Sequence, residues 1–163
     1  MLIREATESD GPGIADLLHG IAELRTVTAN TIDDLRTRVA GNLALGIRSP
    51  GIAILIAAAE RGTIAGYCPV HWIPFLFFSG LEAYITELFV HPSDRGEGAG
   101  SRLLEEVRRR AERRGCSRLS LLTGRDSEAY RRGFYAQRQW QERDRMANFI
   151  FPLPEPPHPT RPG

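Results

Sequence analysis

The sequence predicts a mixed α/β domain in which helices flank a mostly antiparallel central sheet. Three observations carry this expectation. Two apolar runs, Ile52 to Ala59 and Ile64 to Trp72, are separated only by the turn-forming stretch Glu60-Arg61-Gly62-Thr63, the pattern of adjacent antiparallel strands. From Ala83 to Thr123 a strand, a glycine-rich turn, an amphipathic helix and another strand follow one another, and strands joined through a helix pair in parallel by a right-handed crossover. Apolar residues at helical spacing fill much of the first fifty positions. With 163 residues, 42% of them hydrophobic and 25% charged, the chain can bury a core and resembles neither a fibre nor a disordered polymer.

The elements follow in order. Leu2 to Glu5 reads as a short first strand, and from Ser9 onward Ile14, Leu17, Leu18, Ile21 and Leu24 recur at helical spacing behind Gly11-Pro12-Gly13. A second helix starts at Thr31, which offers an N-cap acceptor ahead of Asp33 and Asp34, carries Leu35, Val39 and Leu43, and ends at Gly46 and Ser49-Pro50-Gly51. After the two hairpin strands, Phe75, Leu76, Phe77 and Phe78 lie between Pro74 and Gly80. That segment is too apolar for a solvated loop and too interrupted for a central strand, so it is expected to pack against something.

Ala83 to Val90 is the fourth strand. The helix opened by the glycines buries Leu103, Leu104, Val107 and Ala111, pairs Glu105 with Arg109 and Glu106 with Arg110, and takes Gly115 as its C′ residue. Ser117 to Thr123 is the fifth strand. Asp126 then caps a helix reaching about Gln137, and a charged hairpin, Gln141 to Arg145, leads to a last strand, Met146 to Phe151. In Pro152 to Gly163 six of twelve residues are proline, so residues 1–151 are expected to form one domain and 152–163 a disordered tail.

Charge and cysteine usage exclude several classes. Twenty-one basic against twenty acidic side chains leave a formal net charge of +1, with no electrostatic footprint for nucleic acid or an anionic membrane. No apolar run approaches the roughly 20 residues that span a bilayer, and Met1-Leu2-Ile3-Arg4 leads straight into structured sequence, so a cytoplasmic protein is expected. Cys68 and Cys116 are far apart, without Cys-x-x-Cys or a histidine ligand pattern. Both are expected to be reduced and buried, and no disulfide framework or metal site is indicated.

The chemistry is concentrated between Tyr84 and Gly100, where an apolar strand runs through a proline-closed turn into three alternating glycines at the mouth of a helix. Glycines let a ligand approach the backbone, and a helix N-terminus adds unpaired N–H groups and a positive dipole end, which together bind phosphate. The Rossmann fingerprint is absent, because Ser101 stands where its third glycine would be, and there is no Gly-Lys-Ser/Thr of a P-loop, which excludes nucleotide-dependent oxidoreductases and kinases of those types. What fits is Arg-x-x-Gly-x-Gly, from Arg95 through Gly98 to Gly100. With Glu-Leu-Phe-Val before it and a long amphipathic helix after it, the segment resembles the acetyl-coenzyme A pyrophosphate loop of the GNAT N-acetyltransferase superfamily. The likeness covers roughly residues 2 to 150 and is sharpest from Tyr84 to Tyr135.

The resemblance implies a GNAT-like sheet whose fourth and fifth strands are parallel and splay apart to admit the pantetheine arm. It implies acetyl-CoA as cosubstrate, with no metal, and a primary amine, in the first instance of a small molecule, as acceptor in a direct ternary-complex transfer. It assigns coenzyme contacts to the backbone of Leu88, Phe89 and Val90 and to the loop Arg95, Gly96, Glu97, Gly98, Ala99, Gly100 and Ser101. Acetyl transfer also needs the amine deprotonated and the leaving thiolate protonated.

Glu87, a carboxylate inside an apolar strand, stands where many family members carry the base. It is read as that base or as a ligand of the substrate amine, against an edge-exposed or salt-bridged structural role. Glu82 is its understudy. Phe134-Tyr135 resembles the family's Phe-Tyr motif, which makes Tyr135 the acid, with Tyr130 nearby as an alternative. The match departs at Gln139, where glycine is usual, at Trp140, and at Glu128, where an asparagine often contacts the coenzyme.

Trp72 and Phe75, with His71, Phe77 and Phe78, could line an acceptor pocket, a dimer face or simply the core. His19 and His91 are read as a helix-surface and a turn residue, and the arginines from Arg108 to Arg114 as a solvated helix face, part of which could attract the coenzyme's 3′-phosphate. Peptide or protein N-acetylation, and a non-catalytic acyl-CoA sensor on the same fold, are the competing readings.

Overall fold

The computed structural model describes residues 1–24, 31–59, 62–77 and 79–154. The chain divides into two compact units, Met1–Leu122 and Thr123–Gly163. Among the described residues no helix is long and apolar enough to cross a membrane.

The first unit is built on a six-stranded sheet. Strands β1 (Leu2–Glu5), β2 (Ile52–Ala58), β3 (Ile64–Pro74), β4 (Leu81–Ile85) and β6 (Cys116–Leu121) lie side by side in that order, and β5 (Phe89–Val90) pairs with β3. All neighbours are antiparallel except β4 and β6, which run parallel as a helical crossover requires. The expected hairpin therefore forms, although Glu60 and Arg61 of its turn lie outside the described residues. Strand β3 runs two residues further than expected, to Pro74 opposite Leu81, where a proline at the last ladder position sacrifices little.

The strand expected over residues 83–90 is two strands. Ile85 faces Val70 and Phe89 faces Tyr67, so four steps along one chain oppose three along the other. One extra residue is accommodated as a bulge, and residues 86–88 leave the ladder. The ladder between β4 and β6 ends at Ile85 opposite Leu121, and beyond it β5 pairs with β3 alone among the described residues. The parallel ladder of the two expected strands ends here.

Helix α1 (Gly11–His19) is flanked by single 3₁₀ turns at Glu8–Asp10 and Ala22–Leu24, so the first periodic stretch is three short pieces. Helix α2 (Ile32–Arg48) starts as expected, Thr31 Oγ1 accepting the Asp34 N–H at 3.1 Å. Gly46 lies inside α2 and does not end it. A Cβ there would stand 2.6 Å from Ile54 Cδ1, so the absent side chain lets the helix press onto β2. Helix α3 (Ala99–Arg113) buries Leu103, Leu104, Val107 and Ala111 as its periodicity requires, and Gly115 follows its end. Glu106 pairs with Arg110 at 2.7 Å, but Glu105 takes Arg108 at 2.6 Å and Arg109 takes Glu106, both at i,i+3 spacing and not i,i+4.

The helices occupy opposite faces. A Cβ on Gly66 would lie 3.3 Å from Leu103 Cδ1 of α3, whereas the next residue, Tyr67, belongs to the cluster of Ile14, Leu17, Leu43 and Ile56 beneath α1 and α2. The aromatic segment after β3 does not pack inward. Leu76 and Phe77 are exposed, because Pro74 and Gly80 end the flanking strands and leave a turn whose tip faces water; Phe75 is half-buried, its ring 5.7 Å from that of Phe77 and 5.6 Å from the Arg118 guanidinium. Phe78 lies outside the described residues.

In the second unit, α4 (Glu128–Arg131) is capped by Ser127, one residue beyond the expected Asp126, its Oγ accepting the Tyr130 N–H at 3.2 Å. The helix does not reach Gln137, because Gly133 adopts φ 66° and breaks it. A 3₁₀ turn, Ala136–Arg138, follows and is closed by Gln139 N–H to Ala136 O (3.0 Å) and Trp140 N–H to Tyr135 O (3.1 Å). Gln139 takes φ 64°, the conformation that suits the glycine usual there. Neither the charged hairpin nor the strand expected over Met146 to Phe151 forms. Phe149, Ile150 and Phe151 are exposed, and apolar residues without a ladder partner do not make a strand. Of the expected tail, residues 155–163 lie outside the described residues.

One buried charge anchors the start of the chain. Arg4 donates two hydrogen bonds of 2.7 Å to Asp10, which also accepts the Thr7 N–H at 2.7 Å. The Arg4 hydrogen bonds, opposed by burial and helped by Thr7, hold the Asp10 carboxyl down to about 2. A carboxyl that titrates near 3.9 in the unfolded chain and lower in the fold contributes stability above the unfolded value that is lost as pH falls between the two. With Arg4 partly exposed, the contribution is about 1–2 kcal/mol. Denaturant unfolding at pH 6 and pH 2.5 is expected to show that much more loss in the wild type than in Asp10→Asn, and equal losses would remove Asp10 from the acid sensitivity.

Candidate active site

The glycine segment is a turn with an open mouth. Past Val90, the His91 N–H returns to Ala65 O at 2.8 Å, and the His91 ring closes the turn through Ser93, whose Oγ lies 2.7 Å from Nδ1 and donates to Asp94 at 2.8 Å. Gly96 and Gly98 both adopt φ 88°, and a Cβ on either would meet nothing within 4 Å. The chain itself therefore does not crowd these positions; the left-handed backbone demands glycine and the space beside it stays free. Gly98 is the N-cap of α3 and its carbonyl receives the first helical bond, from Arg102 N–H at 3.0 Å. The N–H groups of Ala99, Gly100 and Ser101 precede that bond, at the positive end of a 15-residue helix. Arg95 stands half-buried at the start of the turn.

The bulge carries Glu87. Its side chain is exposed, and one carboxylate oxygen, Oε2, accepts the O–H of Tyr67 on β3. Tyr67 is 4% exposed, and burial first, then the Glu87 charge, pushes its ionisation far above the ordinary tyrosine value. The same two influences push the neighbouring Cys68 thiol up to about 12. Cys68 is fully buried as expected, whereas Cys116 is only half-buried and is raised chiefly by burial; both are free. Neither thiol is an activated nucleophile.

Chain order brings Glu87, Leu88, Phe89, Val90 and the Arg95–Ser101 turn together at the end of β4 and the start of α3. Trp72, Phe75 and Glu82 are not brought there. Trp72 lies five residues along β3 from Tyr67, about 16 Å at the rise of a strand, buried beneath the Arg114 guanidinium 4.7 Å from its ring. Glu82 is 5% exposed at the opposite end of β4 from the bulge, accepting a hydrogen bond from Arg118 at 2.6 Å and another from Ser120 Oγ. Tyr135 belongs to the second unit, half-buried, with Phe134 and Trp140 edge-on to its ring at 5.1 and 6.3 Å. Glu128 opens α4 and pairs with Arg132 at 3.5 Å; Tyr130 donates to Glu142 at 2.8 Å. Sequence reasoning missed Tyr67. The available signal was a tyrosine within the apolar run of β3, since a buried phenol must find an acceptor.

The chain is 28% identical to thialysine N-epsilon-acetyltransferase of Bos taurus over 128 residues, covering 74% of this chain and 73% of that one. The Mus musculus protein of the same name is 27% identical over 123 residues, covering 73% and 72%. Among solved structures, a transcriptional regulator from Bacillus halodurans C-125 superposes with TM-score 0.81 at 24% identity over 92% of this chain and 99% of that one. A ribosomal-protein-alanine N-acetyltransferase from Brucella melitensis biovar Abortus 2308 gives 0.71 at 20% over 94% and 100%. These two structures share the fold. A model of the Acetyltransferase (GNAT) family matches residues 23–139, a span holding the bulge, the left-handed glycine turn and α3, and the chain belongs to that family of acetyltransferases.

Proposed function

We propose that the chain transfers the acetyl group of acetyl-CoA to a primary amine of a small molecule, directly, with both substrates bound. The observation that carries this reading is the juxtaposition of an exposed carboxylate at a strand bulge with a two-glycine turn at a helix N-terminus. The donor set fits the coenzyme: N–H groups at the start of α3 suit pyrophosphate, the space beside Gly96 and Gly98 admits it, and the edge of β5 beyond the end of the parallel ladder suits an extended amide-bearing arm. In its bound form acetyl-CoA supplies an activated thioester.

The residues have separate tasks in this reading. Glu87 accepts the proton of the acceptor ammonium, the freed amine nitrogen bonds to the acetyl carbon as the carbon–sulfur bond breaks, and the second amine proton passes to solvent. Backbone N–H groups of Leu88 to Val90 orient the acetyl carbonyl, and Arg95 to Ser101 hold the diphosphate. Tyr135 returns a proton to the departing sulfur, an assignment that rests on the resemblance of Phe134-Tyr135 to the family motif. Direct transfer is favoured because a thiol pushed up to about 12 cannot serve as a covalent carrier at neutral pH. Small amines are favoured over peptides by the two mammalian relatives, named for acetylating thialysine.

Three outcomes are expected. Acetyl-CoA raises the melting temperature of the wild type, and Gly98→Val, which cannot hold φ 88° without strain, abolishes the rise while the protein still folds. An unchanged rise would remove the loop from coenzyme binding. In thiol-release assays with thialysine, lysine, polyamines and short peptides, Glu87→Gln is expected to lose about 10²-fold in rate near neutral pH and to recover toward alkaline pH, where more amine arrives deprotonated. A pH–rate profile overlying the wild type would rule out Glu87 as base. Tyr135→Phe is expected to lower kcat by about 10²-fold at nearly constant KM for acetyl-CoA. Wild-type turnover would leave Tyr135 a packing residue.

A further inference from the structure

The bulge frees Glu87 from the ladder and exposes it, and an exposed glutamate samples many rotamers, a freedom that is lost when it is fixed. One contact opposes that freedom. Tyr67 sits opposite Phe89 in the β3–β5 register, with their rings 5.9 Å apart, and its ring is packed into the cluster of Ala6, Ile14, Leu17, Ile21, Leu43 and Ile56. The phenol is thus flanked by side chains of α1, α2, β2 and β5, and its O–H ends on Glu87 Oε2. Cys68, the next residue of β3, feels the Glu87 charge but is held a neutral thiol by burial, and the side chains clustered with the Tyr67 ring are apolar.

We propose that Tyr67 is a positioning residue of the transfer reaction: its hydroxyl fixes one oxygen of the Glu87 carboxylate and leaves the other to meet the acceptor's ammonium. The inference rests on the reading of Glu87 as base. Burial and the Glu87 charge hold the phenol protonated well above the ordinary tyrosine range, so it is a donor at neutral pH. Its contribution is orientation, in which a misplacement of the base by about 1 Å is costly in rate.

A double-mutant cycle with a spectroscopic readout tests it. Tyr67→Phe keeps the ring against Phe89 and removes only the donor; it is expected to lower kcat about tenfold at unchanged KM for acetyl-CoA, and to cost less than about twofold when added to Glu87→Gln, because the two side chains act as one unit. Losses that multiply in the double variant would show that Tyr67 acts independently of Glu87 and overturn the proposal. If Glu87→Gln slows transfer while Tyr67→Phe does not, the base assignment survives and the positioning role falls. If Glu87→Gln has no effect, both fall.

The hydrogen bond can be read without turnover in protein carrying [ζ-¹³C]tyrosine. The chain has four tyrosines, so the Tyr67 signal is assigned by elimination with Tyr84→Phe, Tyr130→Phe and Tyr135→Phe, even if Tyr67→Phe does not fold. That signal is expected to move in Glu87→Ala, and an identical Tyr67 signal in wild type and Glu87→Ala would overturn the proposal.

Discussion

One extra residue between Ile85 and Phe89 sets the geometry of this protein. Strand β4 is paired on both edges, with β3 and β6, so the chain cannot drift sideways until that double ladder ends at Ile85. The bulge then transfers the chain to a shorter pairing with β3 alone. Three consequences share this cause: an edge of β5 lies beyond the parallel ladder, Glu87 projects from backbone outside any ladder, and the turn that follows delivers Gly98 to the head of α3. A regular strand over the same residues would have kept the Glu87 backbone inside the sheet.

The opposite end of the parallel pair is held by charge in a dry place. Glu82 opposes Arg118 in register, and the carboxylate is satisfied by that guanidinium and by Ser120, two residues further along the same face of β6. A buried carboxylate is tolerated only when so paired, and the pairing specifies which residues of β4 and β6 face one another. The parallel register is thereby pinned at one end by an ion pair and ends at the other next to a bulge.

Much of the architecture was legible because local rules and tertiary packing agree there. The periodicity of Leu103, Leu104, Val107 and Ala111 marks α3, Thr31 marks the start of α2, and the paired apolar runs mark β2 and β3. Legibility failed where a local preference needed a distant partner. Met146 to Phe151 is apolar enough for a strand but has no ladder to join; the aromatic stretch at residues 75–77 ends up on a turn; and the helix begun at Glu128 stops where Gly133 takes a left-handed conformation.

At the candidate site the division is equally physical. Sequence by itself determined the glycine turn and the presence of a carboxylate just before Leu88, because alternating glycines at a helix mouth and an acid in an apolar run are chemical statements that hold in any packing. Only the tertiary structure decided that the strand breaks at residue 86, that Glu82 is spent on Arg118, that Trp72 lies under Arg114 far along β3, and that Tyr67 supplies the donor for Glu87. Each of these depends on register. A one-residue change in pairing turns every side chain of a strand to the other face, and nothing in the order of residues 81 to 90 states where that shift falls.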